Sequence, residues 1–263
     1  MDSTMNPRLI SIAAACLLLP SLALAADDSQ FLLGGGVAAG ARYSGSKQNT
    51  VAPLILLDYS HASGFFASTM RGVGYGGQEG PLSYSAALGY RGERKEKNEK
   101  GAFGNTGSAE LKGMGDIKGS ASAMLSLGYK PLSMLELNVS ADIPLSQREN
   151  GKNFHTGVTA QLLNAPNDQV SLSAAAGFAD SKYAQTYYGV TAKQATTSNF
   201  KAYQAKSGLY EANLMLSWQH KIDPKWSVTT MLGANHLLRD ASRSPLTQRK
   251  TSPTGAVYVS YAY

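Results

Sequence analysis

Four histidines, His61, His155, His220 and His236, are the residues of this chain that most readily do chemistry near neutral pH, as metal ligands or proton carriers. They are scattered over separate segments with no partner at a metal-ligand spacing, and neither an HExxH helix nor a pair of cysteines is present. A Ser-His-Asp arrangement could assemble across strands, because such triads are defined by geometry rather than by order along the chain. Serine is abundant, but no local pattern singles one out. The four carboxylates Asp58, Glu136, Asp142 and Glu211 alternate with apolar neighbours. They are expected on one shared side, as paired charges filling a narrow interior in preference to a channel lining or ligand site. Gly34-Gly35-Gly36 and Gly72-x-Gly74 do not lead into helices, so they are not phosphate loops. They are expected to relieve crowding where strands bend. No catalytic, cofactor-binding or metal-binding residue is assigned.

The elements that would position these residues are strands. Leu135, Leu137, Val139, Ala141 and Ile143 alternate with Glu136, Asn138, Ser140 and Asp142, a period of two with charge confined to one face. Ala121 to Tyr129 does the same, and Lys130-Pro131-Leu132-Ser133 joins the two as a hairpin. Further hairpins pair Phe154 to Leu163 with Val170 to Phe178, and Tyr210 to Trp218 with Trp226 to Ala234, the last with Tyr210, Ala212, Leu214, Leu216 and Trp218 on the apolar face. Earlier come Phe31 to Arg42, Val51 to Tyr59, Phe65 to Tyr75 and Leu82 to Tyr90. The final strand sets Val257, Val259, Tyr261 and Tyr263 on one side and Tyr258, Ser260 and Ala262 on the other.

Short turns (130 to 133, 164 to 168, 221 to 225) alternate with long polar connections (144 to 153, 180 to 206, 239 to 251), the sorting expected of a membrane barrel with tight periplasmic turns and longer external loops. Trp218 and Trp226 flank a short turn, where an interfacial aromatic girdle would lie, and His220 and His236 follow the outward register. Eleven strands are evident, yet both ends of such a barrel belong on the periplasmic side, which requires an even number. The expectation is therefore an all-β, antiparallel transmembrane barrel of 12 strands, the missing one lying within residues 101 to 117, with 10 strands as the alternative. The charge run Glu93 to Lys100 reads as a solvated loop.

Composition agrees. Charged residues make up 16% of the chain against roughly 25% in soluble domains, while Gly (27) and Tyr (14) are frequent. The net charge of +6 is dispersed, which argues against a nucleic-acid partner and for solvated loops and outer-membrane lipid headgroups. Residues 1–25 read as a signal peptide: Arg8, an apolar run from Leu9 to Leu24, and Ala23-Leu24-Ala25 before the cut. Cleavage would remove Cys16, the single cysteine, which lacks the upstream residues of a lipidation site. That leaves residues 26–263 as the barrel, placed in the outer membrane of a Gram-negative cell. The terminal aromatic resembles the signal read by the barrel-assembly machinery.

Several stretches carry a resemblance to a known family. Leu33-Gly34-Gly35-Gly36-Val37, Tyr43-Ser44-Gly45-Ser46 and Pro53 open it. Leu111-Lys112-Gly113-Met114-Gly115-Asp116-Ile117 lies at its centre. Tyr187-Tyr188-Gly189-Val190-Thr191, Gln194, Ser198, Tyr203, Gly208 and Ser244-Pro245 follow. Together they resemble the MipA/OmpV family of outer-membrane proteins across essentially the whole mature chain. The resemblance implies a non-enzymatic barrel without cofactors. The family's namesake bridges a murein lytic transglycosylase and a bifunctional penicillin-binding protein in peptidoglycan remodelling, so the resemblance implies a scaffold. Other members imply the alternatives of a small-solute channel or permeability factor, or an adhesin whose contact surface would be the loop from Asp180 to Lys206.

Overall fold

A computed structural model describes residues 29 to 101 and 104 to 263. The expected signal segment, with Cys16, lies outside the described residues. The chain runs through β1 (Gln30–Ala41), β2 (Asn49–Ser60), β3 (Phe65–Ser68), β4 (Gly72–Glu79) and β5 (Leu82–Arg91). A small hairpin follows, β6 (Glu99–Gly101) and β7 (Gly104–Thr106). Then come β8 (Ser120–Leu132), β9 (Leu135–Pro144), β10 (Asn153–Asn164) and β11 (Asp168–Ala179). Two helices, α1 (Ser181–Tyr188) and α2 (Ala192–Thr197), precede β12 (Gly208–Lys221) and β13 (Trp226–Leu237). Last come α3 (Arg239–Arg243) and β14 (Thr251–Ala262). No helix among the described residues is long and apolar enough to cross a membrane.

Twelve of these strands form one closed antiparallel barrel, each wall strand beside the next in sequence and β1 returning to β14. Closure gives the terminal strand two partners, so an apolar, ring-rich strand is not left as an aggregating edge. The seam is tight. A Cβ on Gly36 would collide with the Val257 carbonyl and the Tyr258 backbone, so this position needs glycine. Outward residues Leu57, Leu88, Leu125, Val139, Leu216 and Val257 are exposed as a lipid-facing belt. At the short-turn end Trp226, Tyr261, Tyr263 and Phe31 stack in series, with centroids 4.9, 4.8 and 5.4 Å apart, as the expected girdle. Both barrel termini lie at this end. His220 and His236 keep the outward register, bonded at 2.9 Å to Asp168 and at 2.7 Å to Thr251.

Two expectations about the wall are corrected. The twelfth strand does not come from residues 101 to 117, whose described part is the loop hairpin β6–β7 and a 3-10 turn at Ala109–Leu111, both outside the barrel wall. It comes from Phe65 to Tyr75, which is two strands rather than one. The hydroxyl of Ser68 accepts the Met70 and Arg71 amides (3.1 and 3.3 Å), and Gly72 takes φ 80°, so the chain reverses after four residues. Tyr210, expected on the lipid face of its strand, points inward. A register shift opposite Gly177 and Phe178 inserts one residue into β12, so Tyr210 and Glu211 both face the interior.

The interior is also less wet than strict alternation implies. Ser171, Ser173, Ser217, Ser252 and Ser260 are buried on the inner face, but Leu54, Leu56, Met215, Met231 and Ala256 form an apolar cluster joined by Met70 and Tyr258. The belt gives a direct test. Leu216→Arg, near the middle of β12, is expected to cost about 2–4 kcal/mol in reversible denaturant unfolding of the vesicle-folded barrel. The volume-conserving Leu216→Ile should unfold within about 1.5 kcal/mol of wild type in the same measurement.

Candidate functional site

The long connections fold together over one mouth of the barrel and build a cap with two small cores of its own. The inner core packs Ala184 and Tyr188 of α1 against Ala179, Ala205, Tyr210, Leu237 and Ala241. The outer one gathers Tyr43, Leu111, Met114, Val190 and Leu246. Helix α1 starts where it does because Asp180 caps it, accepting the Tyr183 amide at 2.7 Å. Helix α2 carries a capping box between Thr191 and Gln194. Tyr188 is 1% exposed. Its hydroxyl bonds Ser44 at 2.8 Å and its carbonyl accepts from Ser244 at 2.6 Å, so three distant segments meet on one residue.

Arg94 ties the end of α1 into the cap. It is 9% exposed, its Nη1 donates to the Tyr187 carbonyl at 2.9 Å, and its backbone pairs with Ile117. The guanidinium thus sits at the negative end of α1, where a cation is favoured. Burial pushes its pKa down, opposed by the surrounding tyrosines. Burial likewise raises the Tyr183 and Tyr188 phenols, and Tyr43 is pushed up to about 12 by burial and then by Glu110. These phenols therefore remain neutral hydrogen-bonding groups. The charge run Glu93 to Lys100 is correspondingly not a plain solvated loop. Besides Arg94, it supplies Glu96, whose Oε2 accepts the Gly113 and Gly115 amides at 2.8 and 2.9 Å. Gly113 takes φ 85°, and a Cβ there would strike the Thr197 carbonyl.

All four expected lumen carboxylates point inward, each beside a cationic or titratable partner. Asp58 meets Arg71 at 2.6 Å, Asp142 meets Arg91 at 2.9 Å, Glu136 meets Lys130 at 3.5 Å and Glu211 meets His155 at 3.2 Å. Arg91 also donates to the Gly151 carbonyl at 2.8 Å, tying the loop after β9 to the wall. The His155 Nε2 lies 3.1 Å from the Tyr210 hydroxyl as well as 3.2 Å from Glu211, so both oxygens are within hydrogen-bonding reach of that nitrogen. His61 sits in a short turn against Ser63. Among the described residues no group of three or more His, Cys, Asp or Glu could hold a metal ion. Three of these carboxylate pairs join wall segments; the cap is held in the mouth by Arg91 and Arg94 on its backbone carbonyls and by tyrosine contacts.

The cap generates two predictions. Arg94→Met strands the carbonyls at the end of α1, at a local cost of about 1–3 kcal/mol, and should speed tryptic cleavage after Lys182 or Lys193 while the barrel itself stays folded. Asp240 pairs with Arg243 and accepts the Lys206 amide at 2.9 Å, and these contacts, the arginine's foremost, hold its carboxyl below the ordinary range. A depressed folded pKa stabilises above the unfolded value, near 3.9, and that contribution disappears as pH falls through the folded value. Hydrogen-exchange protection of the Lys206 amide should thus fall below about pH 4, and Asp240→Asn should abolish the pH dependence.

The barrel resembles solved porins in fold alone. The NanC porin aligns with a TM-score of 0.44 and 9% identity, covering 88% of this chain and 98% of that one. The COG4313 outer-membrane channel from Pseudomonas putida F1 aligns at 0.44 and 11%, covering 90% and 95%. Comparison with the sequences of curated proteins finds no match. A family model described as "MltA-interacting protein MipA" matches residues 33–263. That span takes in every stretch converging on the cap, from Tyr43 through Gly113 and Tyr188 to Ser244, and the chain belongs to the MipA family.

Proposed function

We propose that this protein is a non-conducting outer-membrane scaffold that holds a murein lytic transglycosylase, and with it a bifunctional penicillin-binding protein, at the inner surface of the outer membrane. The observation that carries the reading is a barrel of outer-membrane type whose mouth is occupied by α1 and pinned by Tyr188, Arg94 and Arg91. The family's description, an MltA-interacting protein, supplies the partner class. A conducting pore would be expected to keep its polar lumen continuous with water, whereas here an apolar cluster occupies part of the interior and a separate cap core fills the mouth.

On the opposite face the available surface is made of short turns. Lys130, Lys221 and Lys225 lie on or beside two of them, with Lys225 5.4 Å over the Tyr261 ring. A partner would grip that compact rim rather than an extended domain. The test is twofold. In planar bilayers the wild-type barrel should give no discrete conductance steps, and deletion of residues 181 to 206 should produce them. Capture of the folded barrel from a membrane extract should enrich a lytic transglycosylase, and charge reversal at Lys221 and Lys225 should reduce the yield. Steps from the wild-type protein would overturn closure, and capture that enriches no murein enzyme would overturn the scaffold.

A further inference from the structure

The wall of the barrel is not of even height. Strand β3 is four residues long and pairs with β2 only at Asp58, Tyr59 and Ser60. Among the described residues, therefore, β2 from Asn49 to Leu57 has a strand partner on the β1 side and none in the barrel on the other. The loop strand β7 approaches β2 but forms no ladder with it. Across the gap, β4 reaches β5 no further than Leu88, so Gly89 to Arg91 pair with β8 alone. The result is a notch in the half of the wall nearer the cap.

The edge of that notch is finished so that it does not ask for another strand. Thr69 follows β3 and turns back on β2. Its amide donates to the Leu57 carbonyl at 2.9 Å, and its hydroxyl donates to the Ile55 carbonyl at 2.9 Å and accepts the Leu57 amide at 3.1 Å. The odd-numbered residues of β2 thus aim their backbone groups at the notch, and Pro53 shares that register with no N–H to leave unpaired. An edge blunted in this way discourages strand addition.

Behind the notch lies the apolar part of the interior. Leu54 and Leu56 face inward from the β2 edge itself, Met70 joins them from the turn after β3, and Met215 and Met231 reach them from β12 and β13, four and three strands round the wall. Outside the notch Val51, Ile55, Leu57 and Leu88 present the lipid-facing belt. Along this stretch only the width of the wall, without a ladder on one side, separates the lipid-facing belt from a buried apolar interior, while α1 packs in the mouth.

We propose that this notch is a lateral port at which a single hydrocarbon chain from the surrounding leaflet inserts against Leu54, Leu56 and Met70. Methionine suits that role, since its unbranched, polarisable side chain repacks around an entering chain at little cost. Arg71, partly exposed at the foot of the notch and held to Asp58, places a charge where the chain would end and so limits the site to a short penetration. The port is independent of the scaffold reading, because it concerns the wall and not the turn-bearing rim.

Photolabelling tests it. The complete barrel is folded into phosphatidylcholine vesicles doped with palmitic acid carrying a terminal diazirine, irradiated and mapped by mass spectrometry. Labelling of Leu54, Leu56 and Met70 is expected to exceed that of the inward residues Thr159 and Ser173 by at least about fivefold, with Val51 and Ile55 labelled as lipid-facing controls. Met70→Gln, similar in length but polar, should lower labelling at Leu54 and Leu56 about threefold and leave Val51 unchanged. Retained resistance to heat in gel electrophoresis shows that the variant is folded. Label confined to outward residues, or unchanged at Leu54 and Leu56 in the folded variant, overturns the port.

Discussion

Hydrocarbon offers no hydrogen bonds, so each backbone amide and carbonyl crossing it must find its partner inside the protein. Nearly everything else in this structure follows from that requirement. It demands that the sheet return on itself, which brings β1 against β14 and sets the glycine content of the seam. It also accounts for how the notch beside β2 is finished, since that flank meets a threonine amide and hydroxyl and carries a proline. Side-chain alternation then does the remaining work, turning large apolar residues outward and leaving a narrow interior for the rest.

Within that interior, charge and packing divide the labour. Ion pairs at an exposed surface contribute about 0–1 kcal/mol. Those between Arg91 and Asp142 or Arg71 and Asp58 are shielded from solvent and hold specific segments, so breaking one partner leaves the other stranded. Their value is therefore in fixing where the loops sit. Packing supplies the bulk: α1 alone places Ala184 and Tyr188 among five buried neighbours, each from a different segment of the chain. The cap behaves as a lid built in, with Arg94 at the end of the helix and Asp180 at its start.

Much of the barrel could be read from alternation, because a half-buried strand advertises its two faces at every second residue. Leu135 to Ile143 and the strand ending at Tyr263 are legible for this reason. The failures have physical causes. Phe65 to Tyr75 looks like one strand because its reversal depends on a Ser68 hydroxyl and a positive φ at Gly72, features with little periodic trace. Tyr210 is misplaced by a single inserted residue, and alternation carries no warning of a bulge. The apolar interior did leave a signal, since Val51 to Leu57 is apolar on both faces of its strand, the pattern of an element buried on two sides. Arg94 was hidden inside a run of mixed charges, where composition describes the neighbours and not the one residue that tertiary structure withdraws from water. The stretches that resembled a family were legible as motifs, but only the structure shows that they touch one another.

The meeting of β1 with β14 has a consequence for how the molecule is made. Neither strand can complete its pairing until the other is in place, so each keeps one flank unsatisfied until the barrel closes. Contacts spanning nearly the entire chain are slow to form, since the entropy of a very long loop is lost before they are gained. During that interval the unclosed chain is vulnerable to proteolysis and misassociation.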